Sequence, residues 1–310
     1  WVVSDRPVSR DTLLESDAEG AVRQTPEELP SRAADNLFWL GRYVERAENA
    51  IRLTRAYHLR LAEAATANAE LLAAVAAHLS ALGAEPGDGF PPGLQQMLDS
   101  AANAASRVRD RFPNDGWNAL SDLDRTIAGM MTTARPGDDM ARSMSVLVRK
   151  LSGFSGLVHE NMYRFTGWRF LSIGKALERA YLLASLLIDL CDDAAPDGSM
   201  DFALEAADSV MSHRRRYAVS TRRETVVDLL ALDPLNPRSI IHQINAVETH
   251  VSFLPNAEPH QQLSPLQRLL LETRAMLATR TPDGVATEVL VGIKGKIAAL
   301  SDTLGLAYFR

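Results

Sequence analysis

Apolar residues recur at intervals of three and four along nearly the whole chain from Pro30 onward. The clearest case begins near Ser31, where apolar positions follow one face of a helix as far as Ile51. This spacing is typical of an amphipathic α-helix. No segment alternates apolar and polar residues over a length that would indicate a half-buried strand. The sequence therefore predicts an all-α fold, a helical bundle of about ten helices.

Proline, glycine and capping residues mark where these helices begin and end. Ser31 is expected to cap the first long helix, because a serine side chain can accept a hydrogen bond from the first turn. Asn236 followed by Pro237 has the composition of a helix start, and Ser264 followed by Pro265 repeats it.

Composition limits the classes of function. The 310 residues are 46% hydrophobic but only 6% aromatic, which suits closely packed helices rich in Ala, Leu, Val and Ile. A net charge of −6 argues against a nucleic-acid partner. The single cysteine, Cys191, cannot form an internal disulfide, and we find no signal peptide and no apolar run long enough for a bilayer. The sequence predicts a soluble, cytoplasmic protein without a membrane partner.

The first residues differ from the helical region. The chain begins with Trp1 rather than methionine, and its opening residues WVV are β-prone. Residues 9–29 are polar and lack sustained periodicity, which is typical of a linker. We therefore expect a fragment of a longer protein, with residues 1–8 ending a preceding domain, residues 9–29 forming a linker and residues 30–310 forming the helical domain.

An octet occurs twice in the helical region. Residues 40–47 read LGRYVERA and residues 173–180 read IGKALERA, so Gly, a basic residue and Glu-Arg-Ala recur at the same spacing. Such a self-match indicates an internal duplication of helical halves. Gly41 and Gly174 lack side chains, which allows another backbone or a ligand to approach closely.

The glutamates near these octets are the main candidates for a functional site. Helical geometry places Glu48 and Glu178 within apolar stripes and Glu45 near a stripe edge. Buried carboxylates are costly unless they are paired. They either accept hydrogen bonds from arginines where the two halves meet, or line a polar cavity that binds a cation, an amine or a peptide. Brought together by pseudo-symmetry, they could also act as acid/base groups or metal ligands.

Other residue types give weaker signals. The seven histidines form no HxxxH or HExxH pattern, so the sequence predicts no metal site and no cofactor. Trp39 and Trp168, which precede the octets, are expected to be core aromatics. A run of arginines at 213–224 either binds an anion or forms a solvated or paired face. The candidate anion-binding residues are Arg214, Arg215, Arg216 and, further along, Arg238.

Three blocks of the sequence resemble the signature blocks of the alpha-E family, a helical bacterial family named for its characteristic glutamates. They are SRAADNLFWLGRYVERAENAIRL at 31–53, HENMYRFTGWRFLSIGKALERA at 159–180 and LLALDPLNPRSI at 229–240. The resemblance covers the chain from about Pro30 to its end. The opening WVVSDRPV resembles the closing strand of a circularly permuted ATP-grasp protein.

The resemblance carries over to individual positions. One position departs from it, because Lys175 stands where the family more often has Arg, which loses forked recognition of a carboxylate. The matching positions are Arg32, Asn36, Gly41, Arg42, Glu45, Arg46, Glu48, Glu160, Met162, Arg164, Gly167, Trp168, Gly174, Glu178, Arg179, Asp233, Asn236, Pro237, Arg238 and Ser239. The candidate polar site consists of Glu45, Arg46, Glu48, Glu178, Arg179, Arg42, Arg164 and Glu160.

The resemblance also implies a function. ATP-grasp enzymes join a carboxylate to an amine through an acyl-phosphate. The chain is then expected to be an accessory module that binds a substrate or partner for an ATP-grasp, peptide-ligase-like domain in the same or a companion chain, in the synthesis or modification of a peptide or peptide tag. Its partners would be that domain and a peptide, and it is not expected to be catalytic alone. The alternatives are an enzyme that uses the repeat carboxylates and a structural dimerisation bundle, with a homo-oligomer left open.

Overall fold

The computed structural model describes residues 29–63, 68–218, 220–255 and 262–309. Twelve α-helices and no strand occur in these ranges, which confirms the all-α prediction. The expected end of a preceding domain at residues 1–8, and the expected linker up to residue 28, lie outside the described residues. The helices are α1 Ser31–Ala62, α2 Ala69–Ala81, α3 Pro92–Ser106, α4 Asn114–Thr133, α5 Asp138–Asn161, α6 Thr166–Leu190, α7 Ser199–Ala206, α8 Val210–Tyr217, α9 Arg223–Val227, α10 Ile240–Val251, α11 Pro265–Ala278 and α12 Thr287–Tyr308.

Two long helices, α1 and α6, form the centre of the bundle and carry the two octets. Helices α3 and α5 pack on α1, while α10 and α12 pack on α6. Helix α4 covers α5, and α11 packs against both α10 and α12. Because α1 and α6 are surrounded by other helices, both bury more than one face. In the described ranges, no helix is long and apolar enough to cross a membrane.

The contact between α1 and α6 depends on two glycines. A Cβ added at Gly41 would lie 2.1 Å from the carbonyl oxygen of Leu171, and one added at Gly174 would lie 2.1 Å from that of Phe38. Phe38 precedes Gly41 by three residues, as Leu171 precedes Gly174. The two octets therefore contact each other reciprocally, in a local two-fold arrangement that only residues without a side chain permit.

The predicted helix starts have different outcomes. Ser264 accepts a hydrogen bond from the Gln267 backbone at the start of α11, which confirms that cap. Ser31 is the first residue of α1 rather than its cap. The start predicted at Asn236 is wrong, because α10 begins only after Ser239, whose side chain caps it. The Asn236 side chain instead accepts a hydrogen bond from the Arg238 backbone at 3.0 Å, as in an Asx turn.

Candidate functional site

Crosswise ion pairs join the two octets where α1 meets α6. Arg179 of α6 donates two hydrogen bonds to Glu45 of α1, from Nε at 2.5 Å and from Nη2 at 2.6 Å. Glu178 of α6 accepts from the Nε atoms of Arg42 and Arg46 of α1, at 2.5 and 2.6 Å. Each Glu-Arg dipeptide thus pairs with the dipeptide of the other helix, and the ion pairs follow the same local two-fold as the glycines.

Glu48 extends this cluster by one helical turn. It accepts hydrogen bonds from the Nε of Arg52 at 3.0 Å and from the Nη2 of Arg238 at 2.7 Å. Arg52 also pairs with Asp208 at 3.2 Å. Burial alone would raise the pKa of Glu48, but the charges of Arg238 and Lys175 help to lower it to about 2. Glu48 is therefore ionised at neutral pH.

The three glutamates are buried and each is paired with arginine. Glu45 and Glu178 are 1% exposed and Glu48 is 2% exposed. Glu45, predicted near the edge of the stripe, is as fully buried as the other two because neighbouring helices surround α1 on several sides. This geometry favours the interpretation in which the glutamates hold the two halves together. No group of three or more His, Cys, Asp or Glu side chains suited to a metal ion occurs among the described residues.

A cavity of about 410 Å³ lies beside these ion pairs, between α1, α5, α6 and α10. Its size is within the range of pockets that bind small ligands. Helix α6 contributes one face, at intervals of four, three and four residues: Trp168, Ser172, Lys175 and Arg179. The other helices contribute the remaining walls, among them Gly41 and Val44 of α1, Phe154, Ser155 and His159 of α5, and Gln243, Ala246 and His250 of α10.

Lys175 breaks the local two-fold at the cavity wall. It occupies the octet position of Arg42, which donates to Glu178 and to the Oγ of Ser301 at 2.8 Å. The ammonium of Lys175 instead donates to the Oγ of Ser155 at 2.9 Å. No carboxylate of the described residues lies within ion-pair distance of it. Burial lowers its pKa, although the charge of Glu45 acts in the opposite direction.

We name as the α1–α6 cluster the residues that pair with Glu45, Glu48 and Glu178, these three glutamates, Asp208 and Lys175. The cluster carries an excess of positive charge. Within the described part of the chain the α1–α6 cluster has six basic and four acidic members, a net charge of +2. Of the four acids, Asp208 is largely exposed, so the buried part is more positive still. The basic members are Arg42, Arg46, Arg52, Lys175, Arg179 and Arg238, and the acidic ones are Glu45, Glu48, Glu178 and Asp208.

Trp168 lines the cavity, and two arginines lie against its ring. The guanidinium carbon of Arg164 lies 4.1 Å from the ring centroid, and that of Arg169 lies 4.9 Å from it. The ring of His250 is nearly perpendicular to the Trp168 ring, with the two ring centroids 4.9 Å apart. Trp168 and Trp39 both pack against the core but are only partly buried. The prediction of core aromatics is therefore incomplete, because Trp168 also contacts the guanidinium groups of two arginines.

The remaining candidate residues lie elsewhere or are exposed. Glu160 is exposed and forms no ion pair with Arg164 within the described ranges. Arg214 and Arg215 are exposed on α8, whereas Arg216 pairs with Asp233 at 2.7 Å. Arg238 pairs with Glu48 in the α1–α6 cluster, as described above. An anion-binding role for the α8 arginines remains a prediction.

Sequence reasoning missed several residues of the cavity. Ser155, Gln243 and His250 come from α5 and α10 and lie outside both the repeat and the three blocks that resemble the family. For Lys175 a signal was present, since it is the one charged octet position that differs between the two copies. Its place on the same helical face as Trp168 could also have been read from their spacing.

Comparison with known proteins finds relatives in mycobacteria. The chain is 27% identical over 325 aligned positions to the uncharacterized protein Rv2567 of Mycobacterium tuberculosis, and equally to the uncharacterized protein Mb2597 of Mycobacterium bovis. The match covers 88% of this chain but only 36% of each relative, so the chain spans about a third of their length. No solved structure matches it.

A family model identifies the domain itself. Residues 29–309 match Alpha-E, described as a predicted alpha-helical domain with a conserved ER motif. The dipeptide Glu-Arg occurs twice in this sequence, at 45–46 and at 178–179, and these are the dipeptides that pair crosswise between α1 and α6. The chain belongs to the Alpha-E family.

Proposed function

We propose that this chain is the ligand-binding module of a longer protein and that its cavity receives the carboxylate end of a peptide. The observation that carries the proposal is the ammonium group of Lys175 at the cavity wall. It donates a hydrogen bond to Ser155, and no carboxylate of the described residues lies at ion-pair distance from it. A cation in such a position is stabilised by an anion that a ligand supplies. Every peptide with a free C-terminus carries one.

The surroundings of Lys175 support an anionic rather than a cationic ligand. The glutamates of the α1–α6 cluster are already engaged by arginines, so they have little capacity left for an added cation. The α1–α6 cluster also has a net positive charge. Apolar groups of Val44, Phe154 and Ala246 line the same cavity and can contact the uncharged part of a ligand.

The partner in this proposal is an ATP-grasp domain in the same or a companion chain. The resemblance of the opening residues to an ATP-grasp strand supports it, and the relatives are long enough to contain further domains. The helical module would hold the peptide while the ATP-grasp domain joins a carboxylate to an amine. Catalysis by Glu45, Glu48 and Glu178 is the weaker candidate, because a general base needs an oxygen that arginine does not occupy.

The test measures binding of tri-alanine to the purified chain by isothermal titration calorimetry. Tri-alanine with a free carboxylate should bind about tenfold tighter than its C-terminal amide, since a charge-assisted hydrogen bond is lost in the amide. Lys175→Met should remove the difference. Lys296→Met is the matched control, because Lys296 of α12 pairs with the exposed Glu272 of α11 and does not line the cavity. Equal binding of acid and amide, or no binding of either, would overturn the proposal.

A further inference from the structure

Two arginines next to Trp168, a residue that lines the cavity, add positive charge that is separate from Lys175. Arg164 and Arg169 lie against the same Trp168 ring. No carboxylate in the described ranges lies within ion-pair distance of either guanidinium. Burial lowers the pKa of Arg169, and repulsion from the charge of Arg164 adds to this effect. An anion between them would remove that repulsion.

Arg169 is held in place by groups that leave its charge available. Its guanidinium carbon lies 4.3 Å from the Phe253 ring centroid, and its Nη1 donates to the Nδ1 of His250 at 3.1 Å. A guanidinium only donates, so Nδ1 of His250 is the acceptor and the ring proton is on Nε2. Burial, together with Arg169 and Arg164, lowers the pKa of His250 to about 4. A neutral imidazole therefore orients Arg169 without neutralising it.

The two positively charged positions are spaced for a short peptide. Arg169 and Lys175 are six residues apart on α6, which is about 9 Å along the helix axis and about 120° around it, so Arg169 reaches His250 of α10 and Lys175 reaches Ser155 of α5. An extended chain advances about 3.3 Å per residue, and alternate side chains point to the same side. The side chain two residues before the C-terminal residue therefore starts about 7 Å from the peptide's end. A glutamate there can reach the Arg164–Arg169 pair while the terminal carboxylate lies at Lys175.

We infer that the cavity selects peptides with an acidic side chain two residues before the C-terminal residue. Lys175 binds the terminal carboxylate, and Arg164 and Arg169, held on Trp168, bind the acidic side chain. This inference rests on the proposed function and names the class of substrate for the same site. Lys175 and the two arginines are different residues, so the two parts of the inference can be tested by separate substitutions.

The experiment compares two tripeptides, Glu-Ala-Ala and Gln-Ala-Ala, both with free carboxylates, by isothermal titration calorimetry. The unaltered chain should bind Glu-Ala-Ala about fivefold tighter, the size expected for a partly exposed charge pair. Arg164→Gln and Arg169→Gln should each reduce this preference, because each removes one of the two cations. Arg268→Gln is the control, since Arg268 is exposed on α11 and does not line the cavity.

The possible results distinguish the preference for an acidic side chain from the proposed function. Equal binding of the two peptides, abolished in both cases by Lys175→Met, overturns the acidic preference and leaves the proposed function intact. No binding of either peptide overturns both. A preference that survives in both arginine variants shows that other groups recognise the glutamate and also overturns the inference. Should Arg169→Gln unfold, as circular dichroism would reveal, the exposed Arg164 still provides the test.

Discussion

Gly41 and Gly174 occupy equivalent positions on the two central helices, and each faces a backbone carbonyl oxygen of the other helix. The Glu-Arg dipeptides follow four residues after each glycine, so the close approach of the backbones brings them within hydrogen-bond distance of each other. The glycines and the ion pairs are therefore two parts of one arrangement. Separating the helices would weaken both.

Replacement of either glycine by alanine should destabilise the fold strongly. The added methyl of Gly41→Ala or Gly174→Ala would lie 2.1 Å from a carbonyl oxygen, and a backbone atom cannot move aside as a side chain can. We expect each variant to lower the free energy of unfolding by about 3 kcal/mol or more. Urea denaturation followed by circular dichroism measures this loss.

The matched control for these variants is Gly129→Ala in α4. Nothing lies within 4 Å of a Cβ at this exposed helical position. Alanine should therefore raise the free energy of unfolding there, by about 0.5–1 kcal/mol, because it restricts the unfolded chain. A Gly41→Ala variant as stable as Gly129→Ala would contradict the packing described for α1 and α6.

The fold could be predicted largely from the sequence because helical periodicity is a local property. The apolar spacing predicted a helix from Ser31, where α1 begins, and it placed Glu48 and Glu178 inside the apolar stripes, where the structure has them buried. The start at Asn236 failed because the Asn side chain bonds to nearby backbone groups in a turn as readily as at a helix end.

The site could not be predicted to the same extent because its contacts join distant parts of the chain. Glu45 and Arg179 are separated by 134 residues. No local sequence pattern predicts which arginine pairs with which glutamate. The cavity is formed by four helices, two of which carry no repeat. The sequence does contain the repeat. Once Gly41 and Gly174 are placed in contact, the crosswise pairing of the two Glu-Arg dipeptides follows.

Removal of one buried charge should show that the crosswise pairs are structural. Glu178→Gln keeps the shape of the side chain but leaves Arg42 and Arg46 without their carboxylate. We expect a loss of about 3 kcal/mol in the free energy of unfolding, since an arginine buried without a partner is costly. Differential scanning calorimetry of the variant and the unaltered chain measures it.

An exposed pair provides the comparison for Glu178→Gln. Glu272 of α11 and Lys296 of α12 lie 2.6 Å apart on the surface. Solvent screens this pair, so Glu272→Gln should leave the melting temperature nearly unchanged. Similar effects of the two substitutions would mean that the glutamates of the α1–α6 cluster contribute no more than surface charges do.

The single thiol of the chain should report on unfolding. Cys191 is 0% exposed, and burial raises its pKa to about 12, although the charge of Arg223 opposes the shift. Only the thiolate reacts with disulfide reagents, so the folded chain should be inert to dithionitrobenzoate at pH 8. Labelling should appear in urea over the same range as the loss of helical circular dichroism. Rapid labelling of the folded chain would show that the end of α6 opens separately.

His58 makes the stability of the fold depend on pH in a predictable direction. It is 1% exposed in α1, and its Nδ1 accepts a hydrogen bond from the Gly137 backbone at 3.2 Å. Its Nε2 has no hydrogen-bond partner within the described part of the chain. Burial lowers the pKa of His58 from 6.5 to about 4, so the folded chain binds a proton there less readily than the unfolded chain.

The stabilisation associated with neutral His58 is complete above pH 6.5 and is lost as the pH falls from 6.5 to about 4, because the unfolded chain takes up the proton first. The pKa difference corresponds to a loss of about 3 kcal/mol over this range. His58→Gln keeps an acceptor for the Gly137 amide but cannot be protonated, so its free energy of unfolding should fall less steeply. Its remaining slope includes His250, whose pKa is lowered to about 4 in the same way. Urea denaturation at intervals between pH 7.5 and 4.5 measures both slopes, and equal slopes would exclude His58 as the titrating group.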